Sequence, residues 1–329
     1  NAWVNVGYAG FIGSVTAMYT VLNQVVLRPL PLRDQDRIVV AWSNDRVRGV
    51  AHFPHSGRMF EAAERGGVPA FEAVAAVGSW GTSQAVLENP DGTTPFLWSQ
   101  TLGDFFGVLG VAPVLGRTLR PEDDVPAPAE RVAVISDALW ASRYGRAADA
   151  VGSQLHTRRG DDLLTFTIVG VLPGDFDYPG GAEVWTPTRA LYPDWDEEMP
   201  HLELDLVARL TPGATPEQAA EQLTALSRST PELARAYAGA DPVLRPFTDV
   251  VLGDMRPTLL VLFGGAVLVL LVAALDVANL VLVRAVGRRQ AVAVRRALGA
   301  GPGRLLKEAA SEAAVLGVGA AVVGAALAW

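Results

Sequence analysis

The chain has 329 residues, a formal net charge of −8, a mean hydropathy of +0.24 and no cysteine. The absence of thiols excludes disulfide bonds and thiolate chemistry. A positive mean hydropathy is unusual for a soluble domain of this length, so part of the chain must be strongly apolar.

Three apolar segments predict transmembrane helices, because a helix needs roughly 20 apolar residues to cross a bilayer. They are residues 1–27, 258–283 and 309–329. The first segment has neither a basic start nor a small-residue cleavage site, which argues against a signal peptide. The sequence begins without Met inside one apolar run and ends inside another, so we expect a fragment with a truncated first helix and a truncated third helix.

The distribution of charge predicts the orientation of these spans. Residues 284–308 carry seven Arg and Lys side chains before the first acid, Glu308. Short loops rich in Arg and Lys remain in the cytoplasm, so residues 28–257 are expected on the outer side. That region holds 20 of the 27 basic and 32 of the 35 acidic residues, a net charge of −12. Such a domain does not suit nucleic acid or an anionic membrane surface.

The outer region, residues 28–257, reads as alternating short strands and helices. This order predicts an α+β domain, with room for two subdomains. Ser136 and Thr215 stand at N-cap positions before two helical patterns. The predicted strands are residues 37–42, 131–135, 163–172 and 202–210, the predicted helices run from these caps to Tyr144 and Ser227, and the predicted loops are 121–128 and 193–200.

No constellation of residues predicts catalysis. The single lysine, Lys307, is followed by an acid, so no phosphate-binding loop exists. His52 and His55 flank a proline, and we expect surface-loop histidines there, not a metal site. The acidic runs 122–124 and 194–198 lack the spacing of a calcium loop and are expected to be solvated. We therefore expect a chain that is not an enzyme and binds no cofactor of its own.

Two features of the predicted spans indicate helix packing. Asp276 lies inside the second span, where a charge costs about 2.5–3.5 kcal/mol on insertion scales, so it is expected to face a helix interface near Asn279. A role in proton relay is the alternative. Small residues recur along the third span, which lets another helix approach closely, although an alanine-rich genome would give the same pattern. The packing residues of this span are Gly317, Ala321, Gly324 and Ala325.

The predicted cytoplasmic loop has the pattern of a short amphipathic helix. Its arginines recur at seven-residue spacing on one face, and Val294 and Leu298 lie on another. This arrangement favours docking of a soluble partner, whereas charge that only sets topology would not need the apolar face. The predicted basic docking residues are Arg288, Arg289, Arg295 and Arg296.

Several motifs resemble the FtsX/MacB-type ABC transporter permeases. Residues 277–284, 293–300 and 303–312 are similar to the transmembrane region of that family. Residues 104–111 and 168–173 are similar to its MacB-like periplasmic core domain. The similarity runs over nearly the whole chain in the family's order, and the chain resembles the first half of a large duplicated permease. It departs from the family at position 276, where Asn is common.

The resemblance implies a multi-pass permease of the bacterial inner membrane with a large periplasmic domain. A separate cytoplasmic ATPase dimer, which binds ATP and Mg, would dock on residues 288–298. Its closure would move the periplasmic domain, a process called mechanotransmission, for efflux or extrusion of a substrate. Other implied partners are a second permease half or protomer, the lipid bilayer and a periplasmic adaptor or outer-membrane component. The alternative is a membrane-anchored interaction module that activates an outer-side partner such as a cell-wall hydrolase.

Overall fold

The computed structural model describes residues 34–89, 92–126, 130–159, 162–192 and 194–253, residue 32, and nine single positions between 261 and 279. Contacts divide the chain into two units, Pro29–Val251 and a second made of Asn1–Arg28 with Leu252–Trp329. The nine single positions are helical and exposed. Among the described residues, no helix combines the length and the apolar character needed to span a membrane. Apart from those nine positions, the predicted spans and cytoplasmic loop lie outside the described residues.

Strands and short helices alternate along the first unit, which confirms the predicted α+β class. The strands are β1 (Ile38–Asp45), β2 (Val50–Phe53), β3 (Phe71–Gly78), β4 (Ser83–Asn89), β5 (Gly92–Leu102), β6 (Leu115–Gly116), β7 (Val132–Ile135), β8 (Gln154–Arg159), β9 (Asp162–Val171), β10 (Val184–Pro187), β11 (Leu204–Leu210) and β12 (Ala240–Pro246). The α-helices are α1 (Gly57–Ala62), α2 (Phe105–Leu109), α3 (Asp137–Tyr144), α4 (Trp195–Glu198), α5 (Pro216–Ser227), α6 (Pro231–Ala236) and α7 (Phe247–Leu252).

Six of the strands close into a barrel in the order β5-β4-β8-β9-β7-β10. Closure depends on β10, which pairs antiparallel with β7 and parallel with β5. Alternate side chains of all six strands meet in one hydrophobic cluster that includes Leu87, Phe96, Leu155 and Phe166. The barrel is therefore filled by its own side chains, as is usual for barrels of this size.

The remaining large strands extend the sheet beyond β5 as an open antiparallel layer, β3-β11-β1-β12, with β2 paired to β1. Side chains alternate across this layer, so each of its faces has a separate core. On one face, helices α1, α5 and α6 cover a cluster around Phe60 and Leu223. On the other face, α2, α7 and residues 172–182 cover a cluster around Val40 and Val207.

The predicted elements agree with the structure to within a few residues. Helices α3 and α5 begin after Ser136 and Thr215, whose side chains accept hydrogen bonds from the backbone N–H groups of Leu139 and Gln218. Thr215 and Gln218 also form a capping box, which satisfies two unpaired N–H groups at the helix start. The four predicted strands correspond to β1, β7, β9 and β11.

The two predicted loops contain helical turns. Residues Pro121–Asp123 form a 3₁₀ turn, and α4 lies inside the second predicted loop. The short α4 forms because Asp194 accepts a hydrogen bond from the N–H of Glu197 and because Trp195 is buried. The polar sequence around residue 195 therefore predicted a loop, whereas the burial of Trp195 fixes a helical turn there.

Candidate functional site

Most predicted site residues lie outside the described residues. This holds for the docking residues Arg288, Arg289, Val294, Arg295, Arg296 and Leu298, and for the packing residues Asp276, Gly317, Ala321, Gly324 and Ala325. Asn279 is described, and it is helical and exposed. These docking and packing assignments stay predictions.

A buried aromatic cluster underlies one face of the open sheet. Tyr178 lies between Phe105, 6.2 Å away between ring centroids, and Phe247, 4.6 Å away. Phe105 contacts Phe106 at 5.3 Å, and Phe106 in turn contacts Trp185 at 6.3 Å. The aromatic cluster, which also includes Phe176, thus connects α7 to α2 and to barrel strand β10 through ring contacts of the kind that stabilise cores. The Trp185 indole N–H donates to the Tyr178 carbonyl at 3.1 Å.

Both ends of the first unit pack on the core that contains this cluster. Leu32, near the start of the unit, and Val250 and Val251, in α7, are partly buried against it. Phe247, the first residue of α7, is 1% exposed. Leu32 and α7 are therefore anchored in one core.

Arg209 adds hydrogen bonds between elements in the same region. This side chain is 6% exposed, and its guanidinium donates to the Val108 carbonyl at 2.7 Å and to the Asp34 carbonyl at 3.5 Å. One side chain of β11 thus holds the C-terminal end of α2 and the backbone just before β1. Charge-assisted hydrogen bonds of this kind are stronger than neutral ones.

The two histidines expected in a surface loop are placed differently, and that expectation is wrong for His55. His52 lies on β2, stacks on Trp42 at 4.5 Å and hydrogen-bonds Asp205 at 2.7 Å. His55 is 1% exposed, its ring lies 5.5 Å from that of Tyr237, and neither ring nitrogen has a hydrogen-bond partner. Burial lowers the pKa of His55 to about 3. Burial also raises the pKa of Asp205, opposed by the hydrogen bond from His52.

The expectation of a solvated acidic loop is likewise wrong for Asp124, which is 4% exposed. Its carboxylate accepts hydrogen bonds from the backbone N–H groups of Arg189 at 2.9 Å and Gly103 at 3.4 Å. The Arg189 guanidinium also lies 3.5 Å from Glu61 and 3.9 Å from Glu64. Burial raises the pKa of Asp124 to about 6, and the contacts with Arg189 oppose that rise. A central arginine surrounded by three carboxylates ties α1 to the segment after β10.

Among the described residues, no group of three or more His, Asp or Glu side chains is arranged to hold a metal ion. Instead, Asp124, Asp205 and Arg209 form hydrogen bonds between different elements. Sequence reasoning missed the aromatic cluster, although its members stand out as the pairs Phe105–Phe106 and Phe176–Tyr178 beside glycine and proline.

Comparison with solved structures finds similar domains. A permease domain from Porphyromonas gingivalis is 22% identical, with a TM-score of 0.48 over 66% of this chain and 93% of that one. The periplasmic region of MacB from Actinobacillus actinomycetemcomitans is 10% identical, with a TM-score of 0.49 over 73% and 97%. The extracellular domain of the ABC-type transporter YknZ from Gram-positive bacteria is 11% identical, with a TM-score of 0.45 over 63% and 99%. Comparison with curated proteins gives no match.

Comparison with protein families gives two matches in chain order. The MacB-like periplasmic core domain matches residues 7–226, and the FtsX-like permease C-terminal region matches residues 263–329. Proteins of this family are inner-membrane permeases with a periplasmic domain, and they normally work with a cytoplasmic ATPase. Because the first match alone covers more than half of the sequence, the chain belongs to the FtsX/MacB-type family of ABC transporter permeases.

Proposed function

We propose that this chain is a permease subunit that couples ATP hydrolysis by a separate cytoplasmic ATPase to movement of its periplasmic domain, for efflux or extrusion of a substrate. The chain spans the inner membrane several times in this proposal. ATP and Mg bind the partner ATPase, and this chain contributes docking and transmission.

One observation supports transmission above the others, namely that both ends of the described domain are packed in one core. A displacement of either predicted span would act on Leu32 or on α7, and both contact the core that contains the aromatic cluster. Close-packed interiors are nearly incompressible, so they transmit displacement instead of absorbing it. The ring contacts from Phe247 to Tyr178 and Phe105 then carry the displacement toward the open sheet.

The cytoplasmic end of this path is assigned from the sequence. Residues 288–298 would dock on the ATPase through the apolar face formed by Val294 and Leu298, with Arg288 and Arg295 on the basic face. The small-residue face of the third predicted span would pack against a second permease half or protomer.

The test is a pull-down of the tagged full-length protein from native membranes, with ATP hydrolysis measured on the eluate. We expect an ATPase to co-elute, and we expect the double substitution Arg288→Glu and Arg295→Glu to abolish the associated activity. Arg304→Glu with Lys307→Glu is the matched control, because it makes the same change in net charge within the same loop but outside the docking segment. Loss of activity in both double variants would indicate a disturbed topology and would overturn the docking assignment.

The outcome that contradicts the proposal is an intact protein that binds no ATPase. Activation of a co-purifying cell-wall hydrolase in that experiment would support the membrane-anchored interaction module instead.

A further inference from the structure

A cavity of about 260 Å³ lies where the barrel meets the open sheet. Its walls come from the turn after β3, the start of β4, strand β5, the segment after β10 and the start of β11. The lining residues with aromatic or ionisable side chains are Trp80, Trp98, Tyr192, His201 and Glu203.

The aromatic residues of this lining differ in exposure. Trp80 is 78% exposed, which is a high exposure for a large apolar side chain that would be stabilised by burial. Trp98 is 5% exposed and belongs to the barrel core, and its indole N–H donates a 2.7 Å hydrogen bond to the Thr186 hydroxyl. Trp80 is therefore the most exposed aromatic side chain of the lining.

The backbone holds Trp80 and Glu203 close together. The N–H of Ser79, next to Trp80, donates to the carbonyl of Glu203 at 3.0 Å. The turn is closed by a 2.9 Å hydrogen bond from Gly81 to Gly78, and Gly81 has a φ of +69°, which favours glycine. An exposed tryptophan and an exposed carboxylate are thus carried on adjacent, cross-linked backbone segments at the rim of one cavity.

The charged side chains of the lining favour a positively charged ligand. Glu203 is its one carboxylate, and no arginine or lysine is among the described lining residues. An anion would find no arginine or lysine to pair with among these residues. A cation would gain the carboxylate and the negative faces of the aromatic rings. The acidic charge of residues 28–257, −12 in net, attracts the same sign of ligand.

We propose that this cavity binds the ammonium group of an organic cation. The volume is just below the roughly 300–1,000 Å³ typical of pockets that enclose a whole drug-sized ligand, so the cationic end enters and the remainder stays outside. In this proposal Trp80 provides the main ring face, the half-buried Tyr192 lies beside it, and Glu203 provides the counter-charge. The proposed binding site is inferred from the geometry of the cavity alone. A role of the bound cation as transported cargo would rest, in addition, on the proposed permease function.

A sugar is the competing ligand, because carbohydrate rings also stack on exposed tryptophan and hydrogen-bond side chains such as Gln100. A neutral sugar would find a hydrogen-bond acceptor in Glu203, but it would gain neither charge pairing nor cation–π attraction from this lining. The lining thus favours the cation, and the two ligands are separated by experiment.

The test is a ligand titration of the full-length protein in lipid nanodiscs, followed by saturation-transfer NMR. The probes are choline, its neutral isostere dimethylbutanol, in which carbon replaces the charged nitrogen, and methyl glucoside. We expect saturable choline binding, and binding of the isostere weaker by about tenfold or more. No ATPase is needed for this measurement, so its failure is distinguishable from failure of the permease proposal.

Variants locate the binding at this cavity. Trp80→Ala and Glu203→Gln should each weaken choline binding by about tenfold, since each removes one of the two attractions. Trp80→Phe should lose less, because a ring remains. The matched controls are Val47→Ala and Glu232→Gln, two exposed residues elsewhere in the domain, which should leave the affinity unchanged. Unchanged thermal unfolding of each variant confirms that it is folded.

Four results would overturn the proposal. Equal binding of choline and dimethylbutanol would identify an apolar cavity without charge recognition. Saturable binding of methyl glucoside without choline binding would identify a sugar site. Choline binding that survives both Trp80→Ala and Glu203→Gln, or no choline binding at all, would remove the site from this cavity.

Discussion

The barrel and the open sheet are built differently although they share β5. The barrel core is formed by residues between 85 and 192, and its buried polar side chains are hydroxyls such as Thr157 and Thr186. The open sheet has both ends of the domain packed against it, through Leu32 and α7. Among the described residues, the buried ionisable side chains lie on the open sheet or at its junction with the barrel: Asp45, His55, Asp124, Asp205 and Arg209.

This difference separates two roles within one domain. The barrel has its own core, which neither Leu32 nor α7 enters, so it is expected to move as a body. The open sheet is the part on which displaced spans would act, and its buried charges make its stability depend on pH.

The largest effect on the free energy of unfolding is expected from truncating a large buried side chain in either core. Phe247 under the open sheet and Phe166 in the barrel are each 1% exposed. Truncation of either residue to Ala should lower the free energy of unfolding by about 3–5 kcal/mol, from lost burial and the cavity left behind. Denaturant unfolding measures both losses. A loss below about 1 kcal/mol for Phe247→Ala would mean that α7 is not anchored in the core, and the comparison would fail.

Acid should destabilise the open sheet through His55. Its folded-state pKa of about 3 lies below the ordinary value of 6.5, so the unfolded chain binds the proton more readily. The stabilisation is therefore complete above pH 6.5 and is lost as pH falls toward 3, by up to about 4 kcal/mol. His55→Leu should remove this loss and should not destabilise the protein at pH 7, because two unpartnered ring nitrogens disappear.

The control for His55→Leu is His201→Gln, at an exposed histidine. The measurement is the free energy of unfolding against pH between 4 and 7. An identical acid slope in the wild type and in His55→Leu would show that His55 is not buried as described.

Asp124 should give a smaller effect of opposite sign. Its folded-state pKa of about 6 lies above the ordinary 3.8, so the folded protein binds the proton more readily. Stability is then highest below about pH 4 and falls as pH rises to about 6, by about 2 kcal/mol after discounting for relaxation. Asp124→Asn should be more stable than wild type at pH 7 and equal to it at pH 4. The exposed Asp36→Asn should follow the wild type throughout, and equal curves for all three proteins would contradict the burial of Asp124.

The smallest effect is expected from removing a helix N-cap. The loss of stability should be the same for a helix beside the barrel and for a helix on the open sheet. Ser136 caps α3 beside the barrel, and Thr215 caps α5 on the open sheet. Replacing either with Ala should cost about 1 kcal/mol, because one N–H at the helix start loses its acceptor. Thermal unfolding of the two variants measures the cost. A difference above about 2 kcal/mol between them would show that a cap carries more than its local hydrogen bond.

Much of the secondary structure could be predicted because its signals are local. The caps at Ser136 and Thr215, the β-branched run of β7 and the proline–glycine stops after β9 and β11 all lie within the elements they define. The α+β class followed from their order. These signals define where each helix or strand lies in the sequence, but they do not indicate which elements pair or pack together.

The barrel and the buried ties could not be predicted, because they depend on distant residues. Closure requires β10 to pair with β5, which precedes it by more than 80 residues. His55 is buried through elements that include Tyr237, whose hydroxyl accepts a hydrogen bond from the N–H of Ser56, 181 residues away in sequence. The spacing of two histidines around a proline contains none of this information. Asp124 was likewise assigned from its acidic neighbours, whereas its burial depends on Arg189.

The central claim, that displacement reaches this domain through the core beneath the open sheet, is tested most directly by hydrogen–deuterium exchange. The full-length protein, purified with its ATPase, would be compared with and without ATP. The account predicts changed exchange in α7, α2 and residues 173–182, and unchanged exchange in β8 and β9 of the barrel. Equal changes in the barrel, or no change in α7 when ATP is hydrolysed, would contradict it.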